Sequence, residues 1–189
     1  MKRRTMMLVA GAAAAMALAG CSTNMGATTT PAERQATINQ GADRTLETLY
    51  SSVVGSKELV GKARGVLIFP RILEGAFVLG ASGGDGVLRI GGVSKDFYST
   101  GSVSFGFQAG AQSTALVYLF MTQEALDRVQ SGNTWTVGSD ASVSVIRLGA
   151  NGTIDSSSVS NSVNAFALTN SGLFGGINLN GARIARIQF

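Results

Sequence analysis

Two groups of residues in this sequence could carry chemistry. The first is the run Leu18-Ala19-Gly20-Cys21, which ends in the only cysteine of the 189 residues. Leucine, two small residues and cysteine match the bacterial lipobox. Small side chains admit the segment to a signal peptidase, and the thiol forms a thioether to diacylglycerol before cleavage leaves Cys21 first. A single thiol has no disulfide or thiolate cage to serve instead. The second group is Lys57, Lys62, Arg64 and Arg71, four cations within 15 residues, opposed locally by Glu58 alone. Such a cluster is either a solvated rim or a contact for anionic headgroups, toward which each cation contributes attraction.

Other chemistries fail on composition. There is no His, which removes the Ser-His-Asp triad, imidazole-bound zinc and histidine switching. Gly80-Ala81-Ser82-Gly83-Gly84 satisfies G-x-S-x-G, but the residues after it read as strand and no imidazole base exists, so a Gly-rich hairpin turn is expected there. Gly55 to Lys62 misses the P-loop spacing, and Ala63 replaces its metal-binding hydroxyl. Asp85 alone falls far short of a calcium shell. No catalytic residue, metal ligand or cofactor is expected, and the chain is not read as an enzyme. Three of the 15 basic residues (Lys2, Arg3, Arg4) lie in the first 20, and the remaining 12 face 11 Asp+Glu. That near-neutral balance lacks the basic excess that displaces counterions from nucleic acid.

A scaffold for these groups is legible along the chain. Lys2-Arg3-Arg4, the apolar run Met6 to Leu18 and the small residues Ala17 and Ala19 have the layout of a secretory leader. Residues 1–20 are therefore expected to be a lipoprotein signal peptide, and 21–30 an acylated cysteine with a flexible tether. A lipobox cysteine carries at least two chains, enough for stable anchoring. Ser22, not Asp, comes next, which in a Gram-negative envelope directs the protein to the periplasmic face of the outer membrane. Thr30, Pro31 and Glu33 open a helix, with Ile38, Ala42, Leu46, Leu49 and Val53 on one apolar stripe and Gly41 weakening it. Ser56 is expected to cap a second helix to Ala63. After Gly65 short runs alternate with Gly: a strand Val66 to Phe69 ended by Pro70, and strands Gly75 to Ala81 and Val87 to Ile90 around a turn at 82–86. Strands Ser102 to Ala109 and Thr114 to Met121 precede a helix from Gln123 to Gln130, capped by Thr122. Beyond it lie strands Thr134 to Val137, Ala141 to Leu148 and Thr153 to Val159, with a turn at Asn151-Gly152. Leu173 to Leu179 and Ala182 to Ile187 flank Asn180-Gly181, the signature of a type I′ hairpin. With 25 Gly and 14% charged residues, residues 31–189 read as one α+β domain. Its core is a Gly-rich, mostly antiparallel sheet or partly closed barrel with an N-terminal amphipathic helix and short helices.

Lys62-Ala63-Arg64-Gly65-Val66-Leu67-Ile68-Phe69-Pro70 resembles the opening block of the SYLF-domain family, a lipid-binding module also called the yeast actin-binding domain. Gly75 to Gly80 with Gly83, Gly86, Val87 and Leu88 is similar to its glycine-rich hairpin, and Gly106 to Gln112 to its G-x-Q-x-G-A-Q element. Gly138 to Val143 and Gly172 to Gly181 resemble its last two blocks, so the likeness runs over residues 36 to 189. Ser94 to Ser99 stand where many eukaryotic members carry Trp-Ser-x-Pro, which resembles the bacterial envelope branch and argues against actin binding. The resemblance implies membrane-lipid association through basic and amphipathic N-terminal surface. The expectation is a lipid-anchored envelope protein whose domain meets anionic phospholipid headgroups through Lys57, Lys62, Arg64 and Arg71. The alternative is a structural or partner-binding lipoprotein, serving an envelope protein, in which the acyl anchor alone gives membrane affinity.

Overall fold

The computed structural model describes residues 29–76, 79–105, 110–132, 134–149, 153–155, 159, 161–169, 172–173 and 177–189, with backbone alone for the strand residues 74–76, 79–82, 102–105, 110–113 and 172. Cys21, the leader and Asn151-Gly152 lie outside the described residues. Pro31–Phe189 is one compact unit.

Helix α1 (Pro31–Ser52) starts at its proline, and Ile38, Ala42 and Leu49 on one side, followed by Val53, are buried. A short α2 (Ser56–Lys62) leads into β1 (Gly65–Ala76). Next come β2 (Leu79–Ile90), β3 (Val93–Phe105), β4 (Gly110–Phe120), α3 (Gln123–Ser131), β5 (Thr134–Thr136) and β6 (Val143–Val145). The last elements are β7 (Val163–Thr169), β8 (Gly172–Leu173) and β9 (Arg183–Arg186). Among the described residues these strands form one nine-stranded sheet in the order β5-β9-β3-β2-β1-β4-β7-β6, with β8 beside β7. All pairs are antiparallel except β6 with β7. The sheet curls into a half-barrel, so the α+β architecture expected from the sequence is the one observed.

Period-two alternation splits the central strands between two cores. Val66, Ile68, Val117, Leu119, Phe166 and Leu168 point outward under α1. Leu67, Phe69, Leu116, Tyr118, Phe120 and Val163 point into the curl with Leu126 and Val129 of α3 and with Trp135. Buried on both faces, these strands carry unbroken apolar runs. Gly41, a weak helix residue by propensity, faces Pro70: a Cβ there would lie 2.8 Å from the proline Cβ. Its absence lets α1 approach β1.

Several expectations change. Pro70 does not end β1; the strand continues through a register shift between Phe69 and Ile72, where a missing N–H costs least. Residues 82–86 are not a turn but the middle of β2, paired with β3 throughout. A Cβ at Gly86 would lie 2.5 Å from the Ile68 carbonyl oxygen, and one at Gly84 would collide with that of Arg71. Close approach of β1, not turning, requires these glycines. The tight turn is Gly91-Gly92, with φ of 58° and 81° between the paired Ile90 and Val93. Asn180-Gly181 is not type I′: only Gly181 has positive φ, at 83°, and the Ala182 N–H donates to the Leu179 carbonyl, a type II pattern. Segment 177–179 is not a strand, and β9 pairs instead with β3 and β5. Likewise, of the stretch Ala141 to Leu148 only Val143–Val145 is strand, and Thr153 and Ile154 form only isolated bridges.

Candidate membrane-contact site

The basic residues are positioned by the elbow between α1, α2 and β1. Gly55 begins it in the left-handed region, φ 85°, as the residue before α2. Ser56 does not cap α2 with its side chain. It is buried, and its hydroxyl donates back to the Val53 carbonyl at 2.7 Å, with that of Leu49 at 3.1 Å. The hydroxyl thus locks the end of α1 to the start of α2. Leu59, Val60 and Ala63 pack toward the outer core, which turns Lys57, Glu58 and Lys62 to solvent. The Arg64 N–H donates to the Phe120 carbonyl at 2.8 Å, fastening the junction to β4.

Lys57, Lys62 and Arg64 are therefore all exposed on the elbow, with Lys57 and Lys62 about 140° apart round α2. Lys62 Nζ lies 2.6 Å from Glu58 Oε1, and this bond and charge hold the Glu58 carboxyl below its ordinary range. Both side chains are largely solvated, so the pair does little for stability. Among the described residues neither Lys57 nor Arg64 pairs with an acid. Arg71 does not join them. It is exposed, but seven strand residues beyond Arg64 place it roughly 20 Å away at about 3.3 Å per residue, more than two Debye lengths of ~8 Å.

Apolar surface adjoins the elbow, a feature the sequence reading missed. Val54, between α1 and α2, is 74% exposed, and Leu148 is 38% exposed. Val54 bridges to Thr153 and Leu148 to Ile154, so one short loop brings both beside the elbow. Their signal in the sequence is slight, because isolated apolar residues between polar ones look like core.

The amphipathic N-terminal surface implied by the resemblance is largely spent on the fold. The apolar stripe of α1 is buried, and its polar flank is latched to the sheet. Arg34 reaches Asp85 with Nε at 2.8 Å and Nη2 at 2.7 Å, and its guanidinium lies 5.6 Å from the ring centre of Phe189. Arg89 contacts Asp43 at 2.7 Å, and the Ser94 hydroxyl donates to Asn39 Oδ1 at 2.7 Å. Arg186 is similarly held by Asp96. No helix among the described residues is long and apolar enough to cross a membrane.

Residues 101–188 match the family model Ysc84, described as Las17-binding protein actin regulator, and over that span the resemblance to the SYLF-domain family holds. The match starts within β3 and leaves the basic elbow outside it. No curated protein matches the chain.

Proposed function

We propose, taking the family match over residues 101–188 as premise, that the chain is a lipid-anchored protein of the bacterial envelope. Cys21 carries the acyl anchor, on the periplasmic face of the outer membrane, and the domain rests on anionic phospholipid through Lys57, Lys62 and Arg64. The observation that carries this reading is the set of three exposed cations on the elbow, with the exposed Val54 beside them. Cations meet phosphates there while an aliphatic side chain enters the headgroup layer. Each basic side chain near an anionic surface gives about fivefold in affinity, so three give roughly 100-fold before Glu58 is set against them. That is weak for a free protein and sufficient for one whose anchor already supplies a high local concentration.

The test is cosedimentation of non-acylated residues 22–189 with vesicles. Binding is expected to anionic vesicles at low salt, to fall in neutral vesicles or high salt, and to drop most of the way in Lys57→Gln/Lys62→Gln/Arg64→Gln. Arg71→Gln alone is expected to change little. Equal binding by the triple variant overturns the reading. The family description names a protein partner and supports the second reading, a partner-binding module whose membrane affinity comes from the anchor alone. Indifference of the wild-type domain to vesicle charge would favour it.

A further inference from the structure

The curled sheet does not close, and the unclosed place is a cleft. β6 is one edge of the sheet, and the segment Ile177–Asn180 runs opposite it. Between them lies a cavity of about 380 Å³ lined by Ser144, Arg147, Asp155, Asn161, Asn178 and Asn180, with aliphatic side chains of β6 and of 177–179 as its apolar part. It shares no residue with the basic elbow.

Its chemistry is unlike that of the elbow. One cation and one anion cancel formally, and the remaining polar groups are one hydroxyl and three carboxamides. Each carboxamide offers donors and an acceptor at once. A matching ligand presents several donors and acceptors at short spacing, without net charge, together with an apolar face. Vicinal hydroxyls on a sugar ring have that character, whereas a phosphate offers acceptors and charge only. The volume lies at the small end of ligand sites, with room for one or two rings.

The polar wall is also braced from behind. Asn164 is wholly buried on β7, in register with Ser144. Its Nδ2 donates to the Asn161 carbonyl at 3.0 Å, while its Oδ1 accepts from no group among the described residues. Through that bond Asn164 holds the Asn161 segment against the β6 edge. On the facing side the Asn180 N–H donates to Asn178 Oδ1 at 3.0 Å, which fixes that carboxamide and leaves its NH2 group to donate.

We propose that this seam cleft is a binding site for a neutral, polyhydroxylated ligand of the saccharide class. Glucose, N-acetylglucosamine and maltose are the probes, titrated into the ¹⁵N-labelled full chain in a zwitterionic detergent, with sodium phosphate as the charged counterpart. At least one sugar is expected to shift the amide signals of Ser144, Asn161, Asn178 and Asn180 saturably. Asn161→Ala should weaken it about tenfold, the loss of one hydrogen-bonded contact. Asn178→Asp keeps the size and the internal acceptor while deleting the donor, and should do the same with the fold intact. The triple elbow variant should bind sugar as wild type does, so failure here is distinguishable from failure at the membrane. No shift with any of the three sugars up to about 50 mM, where even millimolar sites are seen, overturns the proposal. So do shifts produced by phosphate alone, or undiminished binding in both Asn variants.

Discussion

The outer and inner faces of the one sheet are built by different means. The fully buried residues of the outer core are aliphatic apart from Phe166, with Tyr50 and Phe97 half-buried against them, and a separate element, α1, covers that face. That cover is held by side-chain latches at Arg34, Asn39 and Asp43. The inner core is aromatic: Phe69 meets Tyr118 edge-on at 6.2 Å, and Tyr118 and Phe120 meet Trp135 at 6.0 and 5.8 Å. The sheet itself curls round this face, and α3 packs against it through Ala125, Leu126 and Val129. A face roofed by one helix on polar latches can open by itself, whereas a face enclosed by its own sheet opens only when the sheet does.

The largest expected effects come from deleting rings. Phe166→Ala in the outer core should cost about 3–5 kcal/mol. Phe120→Ala should cost about 1 kcal/mol more, because it also loses the Trp135 contact. Denaturant midpoints decide the order, and a costlier Phe166→Ala breaks the contrast. Gly86→Ala drives a methyl toward the Ile68 carbonyl and the Phe69 ring and should destabilise by about 1–3 kcal/mol; an unchanged melting curve would mean that β1 yields freely. Arg89→Ala should cost about 1 kcal/mol, since Asp43 remains hydrated. Its mark is selective: amide exchange should quicken in α1 and not in β4.

The smallest effect is read through pH. Burial pushes the phenols of Tyr118 and Tyr98 in the inner core above their ordinary value, and that of Tyr50, on α1 against the outer core, likewise. The native state therefore keeps protons that the unfolded chain releases. Stability is fully present below about pH 10 and is lost as pH rises through the native values. Tyr118 Oη has no partner among the described residues, so Tyr118→Phe should leave neutral-pH stability unchanged or slightly raised and should blunt the alkaline loss. A strongly destabilised Tyr118→Phe would show that the hydroxyl is satisfied.

The features legible in the sequence were those that rest on local chemistry. Thr122 caps α3, its hydroxyl accepting from Ala125 N–H, and the stripe Ile38-Ala42-Leu49 is buried under its own helix, because caps and periods act within a turn or two. The glycines misled, because a strand glycine admitting a neighbour's backbone looks like a turn glycine until the neighbour is known. Long-range register decided Gly84 and Gly86, and it also put Pro70 at a bulge. At the candidate site the charges of Lys57, Lys62 and Arg64 were readable, but spacing in sequence could not tell that Arg71 runs down an extended strand. The seam cleft left no trace in the sequence: its residues come from four separate stretches, each ordinary alone.

Arg34 touches both Asp85 and Phe189, so the first turn of α1 lies against the last residue of the sequence. Tension entering through the residues ahead of Pro31 meets this contact before the latches at Asn39 and Asp43. The helix would then peel from its first turn, breaking Arg34, Asn39 and Asp43 contacts one after another, not sliding lengthwise against all of them together. Rupture in that geometry needs little force at each step, and forced opening is set by an unfolding rate, not by the overall stability. The domain is thus soft to a pull at its leading end while its inner core stays shut.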